Sequence, residues 1–260
     1  MSSPLHLHHH GSPSGPTVLA LHGVTGHGGR WWGVAEHLPE VNLVAPDLRG
    51  HGRSPARPPW TMDQHVADLC AVLAELDPDP VVLVGHSYGG AIAVHLARAV
   101  PHRIRALLLL DPAMAVPAGV ALECAQAACA PPVFADAEQA RAQQRKDWAA
   151  APQAAVDAEV DQHLVERAEG GLTWRLSTPA MVASWSELAR PSVAPPAGLP
   201  TVVLRAGQVH PPYLTDATLE GWREVLGDAL RLQVLDAGHM VEQEQPAVVA
   251  ELVRAALVEQ

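Results

Sequence analysis

Gly85-His86-Ser87-Tyr88-Gly89 sets a serine between two glycines, directly after the apolar run Val81 to Gly85 (VVLVG) and directly before the Ala-rich stretch AIAVHLARAV. This is a G-x-S-x-G pattern in the strand-turn-helix setting it needs. The serine occupies a strained turn at a helix N-terminus with its hydroxyl exposed, and the glycines leave room for the tight packing around it. The chemistry implied is nucleophilic catalysis: Ser87 Oγ attacks a carbonyl once an imidazole has taken its proton, so one of 15 histidines must serve as base. His22-Gly23-Val24 follows the run TVLAL, and such a turn can aim the amide of Val24 at a developing oxyanion. The amide of Tyr88, just after the nucleophile, supplies the second donor. A glycine-rich turn without chemistry would account for Gly85 and Gly89 but not for the remaining features.

These residues must be positioned by regular elements, and the apolar patterning supplies them. Thr17 to Leu21, Val41 to Ala45, Val81 to Gly85, Ala106 to Leu110, Thr201 to Arg205 and Leu230 to Leu235 read as strands too apolar to be half-exposed. Trp31 to Leu38, Met62 to Leu76, Ala91 to Val100, Leu214 to Leu226 and Gln245 to Val258 read as helices between them. The alternation predicts an α/β fold with a mostly parallel sheet wrapped by helices on both faces. From Pro112 to Pro200 it stops, and several Ala-rich helices punctuated by PAG, APP, AAP and EGG take over. The expected organisation is a core of residues 1–111 and 201–260 with a helical cap insertion over 112–200.

Four segments, LHGVTGH, PDLRGHGRS, GHSYGG and DAGHMVEQEQP, resemble the α/β-hydrolase superfamily and stand in that family's order, covering nearly the whole chain except the insertion. The resemblance implies the α/β-hydrolase fold and a cap-bearing serine esterase or lipase. It places the general base at His239, after the last strand run, and gives His86 and His51 supporting positions. The dehalogenases and epoxide hydrolases of this fold use an aspartate nucleophile, and Ser87 occupies that place.

The base needs an acceptor for its other ring N–H. In the family an Asp or Glu usually follows the strand matched here by Thr201 to Arg205, but the loop offers Gln208, Val209 and His210. Asp47 matches a structural position of the family, Asp236 is only three residues before the base, and Glu242 is expected to be solvated. Asp111 ends the run ALLLLD, on the strand expected beside the nucleophile's own, roughly 4.8 Å away, where active groups of open α/β sheets gather. Some members of the superfamily carry their acid at this earlier strand. Asp111 is therefore the favoured acid, with Asp216 as the alternative.

The expected pocket draws on Trp31, Trp32, Phe134, Trp148, Met181, Trp185 and Met240, and suits a small, largely apolar ester or lactone. A carbon-carbon or amide bond hydrolase of the same fold, or a weakly catalytic ligand-binding homologue, are the alternatives. No cofactor or metal is expected. HLHHH at His6 to His10 reads as an N-terminal strand, without a carboxylate at ligand spacing. A net charge of -11 without a basic cluster argues against nucleic acid and against an anionic membrane surface. No apolar run approaches the roughly 18 residues of a membrane span or forms a signal-peptide core, so a cytoplasmic location is expected. Cys70, Cys124 and Cys129 leave one over in any pairing and are expected as reduced, buried thiols.

Overall fold

A computed structural model describes residues 5–258. In chain order its elements are β1 (Leu7–Gly11), β2 (Thr17–Leu21), α1 (Trp32–Glu36), β3 (Asn42–Pro46), α2 (Met62–Glu75), β4 (Val81–His86), α3 (Tyr88–Ala99) and β5 (Ile104–Leu110). The inserted segment holds α4 (Ala118–Ala128), α5 (Ala137–Asp147), α6 (Gln153–His163), β6 (Leu164–Glu166), β7 (Leu172–Trp174) and α7 (Thr178–Leu188). The chain then returns as β8 (Thr201–Ala206), α8 (Asp216–Leu226), β9 (Leu230–Leu235), α9 (Val241–Glu244) and α10 (Pro246–Val258).

Seven strands form one sheet in the order β1-β3-β2-β4-β5-β8-β9. All neighbours are parallel except β1, which runs antiparallel to β3 at one edge. Successive side chains of a strand point to opposite faces, and the apolar runs fill both. Leu19, Leu83, Leu107 and Leu109 pack with Leu69 and Val72 of α2 and Ile92 and Leu96 of α3. Val18, Val82, Val84 and Leu108 pack on the other side with Val34 of α1 and Val249 and Val253 of α10. Two-faced burial is why these strands carry no polar alternation.

The register sets the site. Gly85 pairs with Leu109 and His86 with Leu110, so β4 and β5 end level. The Ser87 amide donates to Leu110 O at 3.0 Å and the Asp111 amide to Leu204 O at 2.7 Å. Ser87 and Asp111 thus leave adjacent strands side by side at the carboxyl edge.

The structure corrects several expectations. The first helix is shorter than its apolar pattern, a 3-10 turn over Gly28–Trp31 followed by α1. The insertion is not wholly helical: β6 and β7 form an antiparallel hairpin, with Leu164 opposite Trp174, across a turn carrying Gly170 and Gly171 at φ of 90° and 76°. Three-residue strands are too short to show alternation, and only glycine adopts such a turn without strain. Cys129, the residue that caps the C-terminus of α4, is exposed, and Cys70 and Cys124 are half-buried. Among the described residues no helix is long and apolar enough to cross a membrane.

Candidate active site

Ser87 joins β4 to α3 with φ 52° and ψ -115°, a conformation an L-residue holds only when its surroundings impose it. They do so here through the flanking glycines. A Cβ on Gly85 would stand 2.5 Å from Gly89 O, and one on Gly89 would strike Leu21 O. Tyr88 opens α3, so its amide has no acceptor within the helix. Its side chain is buried, edge-on to His65 at 5.6 Å.

Ser87 Oγ lies 3.0 Å from His239 Nε2, and His239 Nδ1 lies 2.6 Å from Asp111 Oδ2. Asp111 is 2 % exposed and accepts the Ala206 amide on Oδ1 at 3.1 Å. That bond, from β8, holds the carboxylate between the two strands. Asp111 sits at φ 40°, a left-handed position that Asp and Asn tolerate better than most residues. The alternative, Asp216, begins α8, pairs with Arg205 at 2.7 Å and is 82 % exposed in its side chain. Asp236 accepts from the Gln208 amide at 3.0 Å, and His210 is exposed. In place of a carboxylate, the loop after β8 brings the Tyr213 ring to 4.6 Å from the His239 ring, tilted by 53°.

The loop after β2 closes over the serine, since a Cβ on Gly23 would lie 3.2 Å from Ser87 Cβ. The Leu48 amide donates to His22 Nε2 at 3.0 Å, which places the His22 proton on Nδ1, and Nδ1 donates to Gly23 O at 2.8 Å. That carbonyl belongs to the peptide whose N–H is the Val24 amide, so His22 fixes the plane of that amide. His51 Nε2 donates to Val24 O at 2.6 Å and holds the next peptide. His86 Nε2 donates to the carbonyl of His239 at 2.7 Å.

A cavity of about 430 Å³ opens beside this loop. Trp148, Trp174, Leu176, Met181 and Trp185 supply apolar wall, and Thr25, the residue after Val24, also borders it. Ser87 and His239 are not part of that wall. Trp148, Met181 and Trp185 are among the residues expected to line a pocket; the others named there lie outside this wall. Trp31 is 1 % exposed among the residues between sheet and α10. Phe134 packs inside the insertion against Ala140 and Val160, its ring 5.3 Å from Trp174. Met240 packs against the Trp148, Ala151 and Val156 cluster. Trp32 is half-buried and faces α6 beside Ala155.

Sequence reasoning missed a buried charge cluster that borders the cavity. Arg30 grips Glu159 with two bonds, Nε to Oε2 at 2.9 Å and Nη2 to Oε1 at 2.7 Å. His27 Nε2 and His163 Nδ1 stand 3.1 and 2.9 Å from the same carboxylate, and the guanidinium lies 4.9 Å from the centre of the Trp148 ring. Burial alone would raise the Glu159 carboxyl; the Arg30 charge and hydrogen bonds, with those of His163, outweigh it and hold the group well below the usual range. His27, Glu159 and His163 offer three donors within 4.8 Å, but Arg30 already occupies both carboxylate oxygens.

The histidine strand also has the carboxylate partner that spacing hid. His8 Nε2 donates to Asp47 Oδ1 at 3.0 Å, and Asp47 accepts the amides of Gly28 at 2.7 Å and Arg53 at 2.8 Å. His6 completes a second three-donor group there. Asp47 thus acts as a staple between β1 and two loops.

Burial keeps His22, His51 and His86 below their ordinary 6.5, and pushes His65 down to about 3. These groups are neutral when folded but take up protons below about pH 6.5 when unfolded. Their contribution is full above that pH and is lost as pH falls toward the folded values, by about 1.4 kcal/mol per pH unit for each. Glu242, raised to about 7 by burial, opposes them as a single group. The urea midpoint is therefore expected to fall steadily from pH 7 to pH 5; an unchanged midpoint across that interval would contradict the buried, neutral state of these rings.

The profile of the alpha/beta hydrolase family matches residues 18–252. The chain belongs to the alpha/beta hydrolase family. Among relatives, it is 47% identical to "Lipase LipV" of Mycobacterium tuberculosis over 255 residues, 97% of each chain. Among solved structures, E-2-(acetamidomethylene)succinate hydrolase superimposes with a TM-score of 0.83 at 20% identity, over 98% of this chain and 95% of that one. A marine microorganism esterase matches with a TM-score of 0.77 at 21% identity, over 98% of this chain and 99% of that one. At such identities the two structures speak for the fold of this alpha/beta hydrolase.

Proposed function

We propose that the protein is a serine esterase of the lipase type that cleaves small, largely apolar carboxylic esters or lactones. The observation that carries this reading is the line of two hydrogen bonds from Ser87 Oγ through His239 to Asp111. In the first step His239 Nε2 takes the Ser87 proton as Oγ attacks the ester carbonyl, and the oxyanion is received by the amides of Val24 and Tyr88. The imidazolium then protonates the leaving alkoxide as the carbonyl reforms, leaving an acyl-serine. Water, deprotonated by the same nitrogen, attacks the acyl group, and the imidazolium returns that proton to Ser87 Oγ as the acid leaves. Asp111 accepts Nδ1–H throughout, holding the tautomer and stabilising the imidazolium.

The name of the 47% identical relative, a lipase, supports the reaction class. The aromatic wall of the neighbouring cavity supports an apolar substrate, since the charge of Arg30 there is matched by Glu159. Three cysteines without a disulfide agree with a reducing compartment, and we place the protein in the cytoplasm.

A fluorophosphonate probe is expected to label the folded protein stoichiometrically at Ser87, located by peptide mass spectrometry, and a panel of chromogenic esters of graded chain length to show turnover. Folded protein that neither labels nor turns over any ester would instead be a binding homologue.

A further inference from the structure

His86 and Glu242 lie behind the base and take no part in the steps above. His86 is 1 % and Glu242 2 % exposed; the stretch GHMVEQEQ reads as a loop with a solvated carboxylate, but Glu242 lies in α9 and is buried. His86 Nε2 must be the protonated nitrogen, because the carbonyl of His239, 2.7 Å away, can only accept. A neutral His86 then presents a bare lone pair at Nδ1. Glu242 Oε1 lies 3.3 Å from Nδ1, which has no other hydrogen-bond partner among the described residues. Two acceptors do not sit together in a dry interior unless one carries a proton. The imidazole is held neutral by burial, with the nearby charge of His239 adding to the effect, so the proton belongs on the carboxyl.

We propose that Glu242 is a buried carboxylic acid whose O–H donates to His86 Nδ1, and that this pair is a positioning device which, through the carbonyl of His239, holds the base against Ser87. The proposal rests on the serine-esterase reading for its kinetic consequence, though not for the bond itself. A one-way chain results: Glu242 O–H to His86 Nδ1, His86 Nε2–H to His239 O. The imidazole that this backbone carries is the one meeting Ser87 and Asp111. The groups facing the pair are few. Among the described residues Arg30, on the 3-10 turn, and His239 are the charged or titratable ones; the Glu242 backbone N–H and the Gln243 side chain also hydrogen-bond the carboxyl, against the effect of burial, and the Gln243 amide donates to Arg30 O at 2.8 Å. The helices α1 and α10 meet α9 through apolar residues, Val34 and Val249 against Val241.

The arrangement is pH-sensitive with a definite sign. Burial raises the Glu242 carboxyl to about 7, so it is an acid at pH 6 and loses its proton as pH rises through neutrality. Ionised, it turns an acceptor toward an acceptor, and the support of the base weakens. Turnover is then expected to decline above neutral pH.

The test compares Glu242→Gln and Glu242→Leu with the unaltered protein. The Gln amide can donate to His86 Nδ1 and cannot ionise. It should keep kcat within about twofold at pH 6 and remove the fall of kcat between pH 7 and 9, whereas Leu, lacking a donor, should lower kcat about tenfold with KM little changed. Two measurements do not depend on catalysis. Infrared difference spectra should show a carboxylic-acid C=O band at pH 6 that Glu242→Gln abolishes, and ¹⁵N NMR should report His86 in the Nε2–H tautomer at that pH. The proposal is overturned if that band is absent, if His86 carries its proton on Nδ1, if Gln is as impaired as Leu, or if the alkaline fall of kcat persists in Glu242→Gln. Should Ser87 fail to react with fluorophosphonate, the esterase reading falls, and the spectra still decide the pair.

Discussion

Asp111→Asn is expected to lower kcat about 10,000-fold while leaving the protein folded, the scale seen where Asn replaces the orienting Asp of a Ser-His-Asp triad. The substitution is conservative for structure. Asn Oδ1 can still accept the Ala206 amide, and Asn tolerates the left-handed backbone at φ 40°. It is severe for chemistry because the Asn amide presents N–H to His239 Nδ1, forcing the ring into the tautomer with its proton on Nε2, where Ser87 needs a base. The acid in this reading comes from β5 rather than β8, so the comparison is Asp216→Asn. Its carboxylate is exposed and paired with Arg205, and kcat should stay within about twofold, since surface pairs contribute little. Steady-state kinetics on both variants, with circular dichroism to confirm folding, decide it. Near-normal turnover of Asp111→Asn beside a silent Asp216→Asn would refute the assignment.

Glu159→Ala should be the most destabilising single change outside Ser87, His239 and Asp111, by about 3–5 kcal/mol, because it strands a buried guanidinium. Arg30 and Glu159 are 6 % and 2 % exposed in their side chains, and Glu159 also engages His27 and His163. The carboxylate comes from α6 in the insertion and the guanidinium from the turn before α1, so the cluster ties the inserted segment to the sheet domain. The double change Arg30→Met with Glu159→Leu should recover most of the loss, since well-packed apolar replacements of a buried pair are often neutral. Urea unfolding measures both. A loss below 1 kcal/mol for Glu159→Ala would show that the pair does not hold these parts together.

Both cases show which kinds of information are local. The strands were readable because two-faced burial forces continuous apolar runs, and their boundaries moved by only a residue or two. Ser87, Val24 and Tyr88 stand out as candidates because a tight turn needs glycines at fixed offsets. His239 came from chain order and family resemblance. Asp111 came from a strand-neighbour argument, and the register that sets His86 beside Leu110 puts it within reach of the same imidazole. The large apolar residues named for the pocket divide between two settings. Trp148, Met181 and Trp185 border the cavity, whereas Trp31 and Phe134 fill cores. Large apolar side chains are equally at home in either place, and residue type does not distinguish them.

By itself the sequence determined the order of the core strands and helices, the G-x-S-x-G turn and the candidate set for base and acid, because strand and helix periods, glycine requirements and turn chemistry act over a few residues. Only the tertiary structure decided which distant groups share a dry environment: Glu159 with Arg30, 129 positions apart, Asp47 with His8, and Glu242 with His86. The physical reason is that the protonation and partners of an ionisable group depend on how completely water is removed from it and on which donors line the space. Those are properties of packed surfaces, and no spacing along the chain records them.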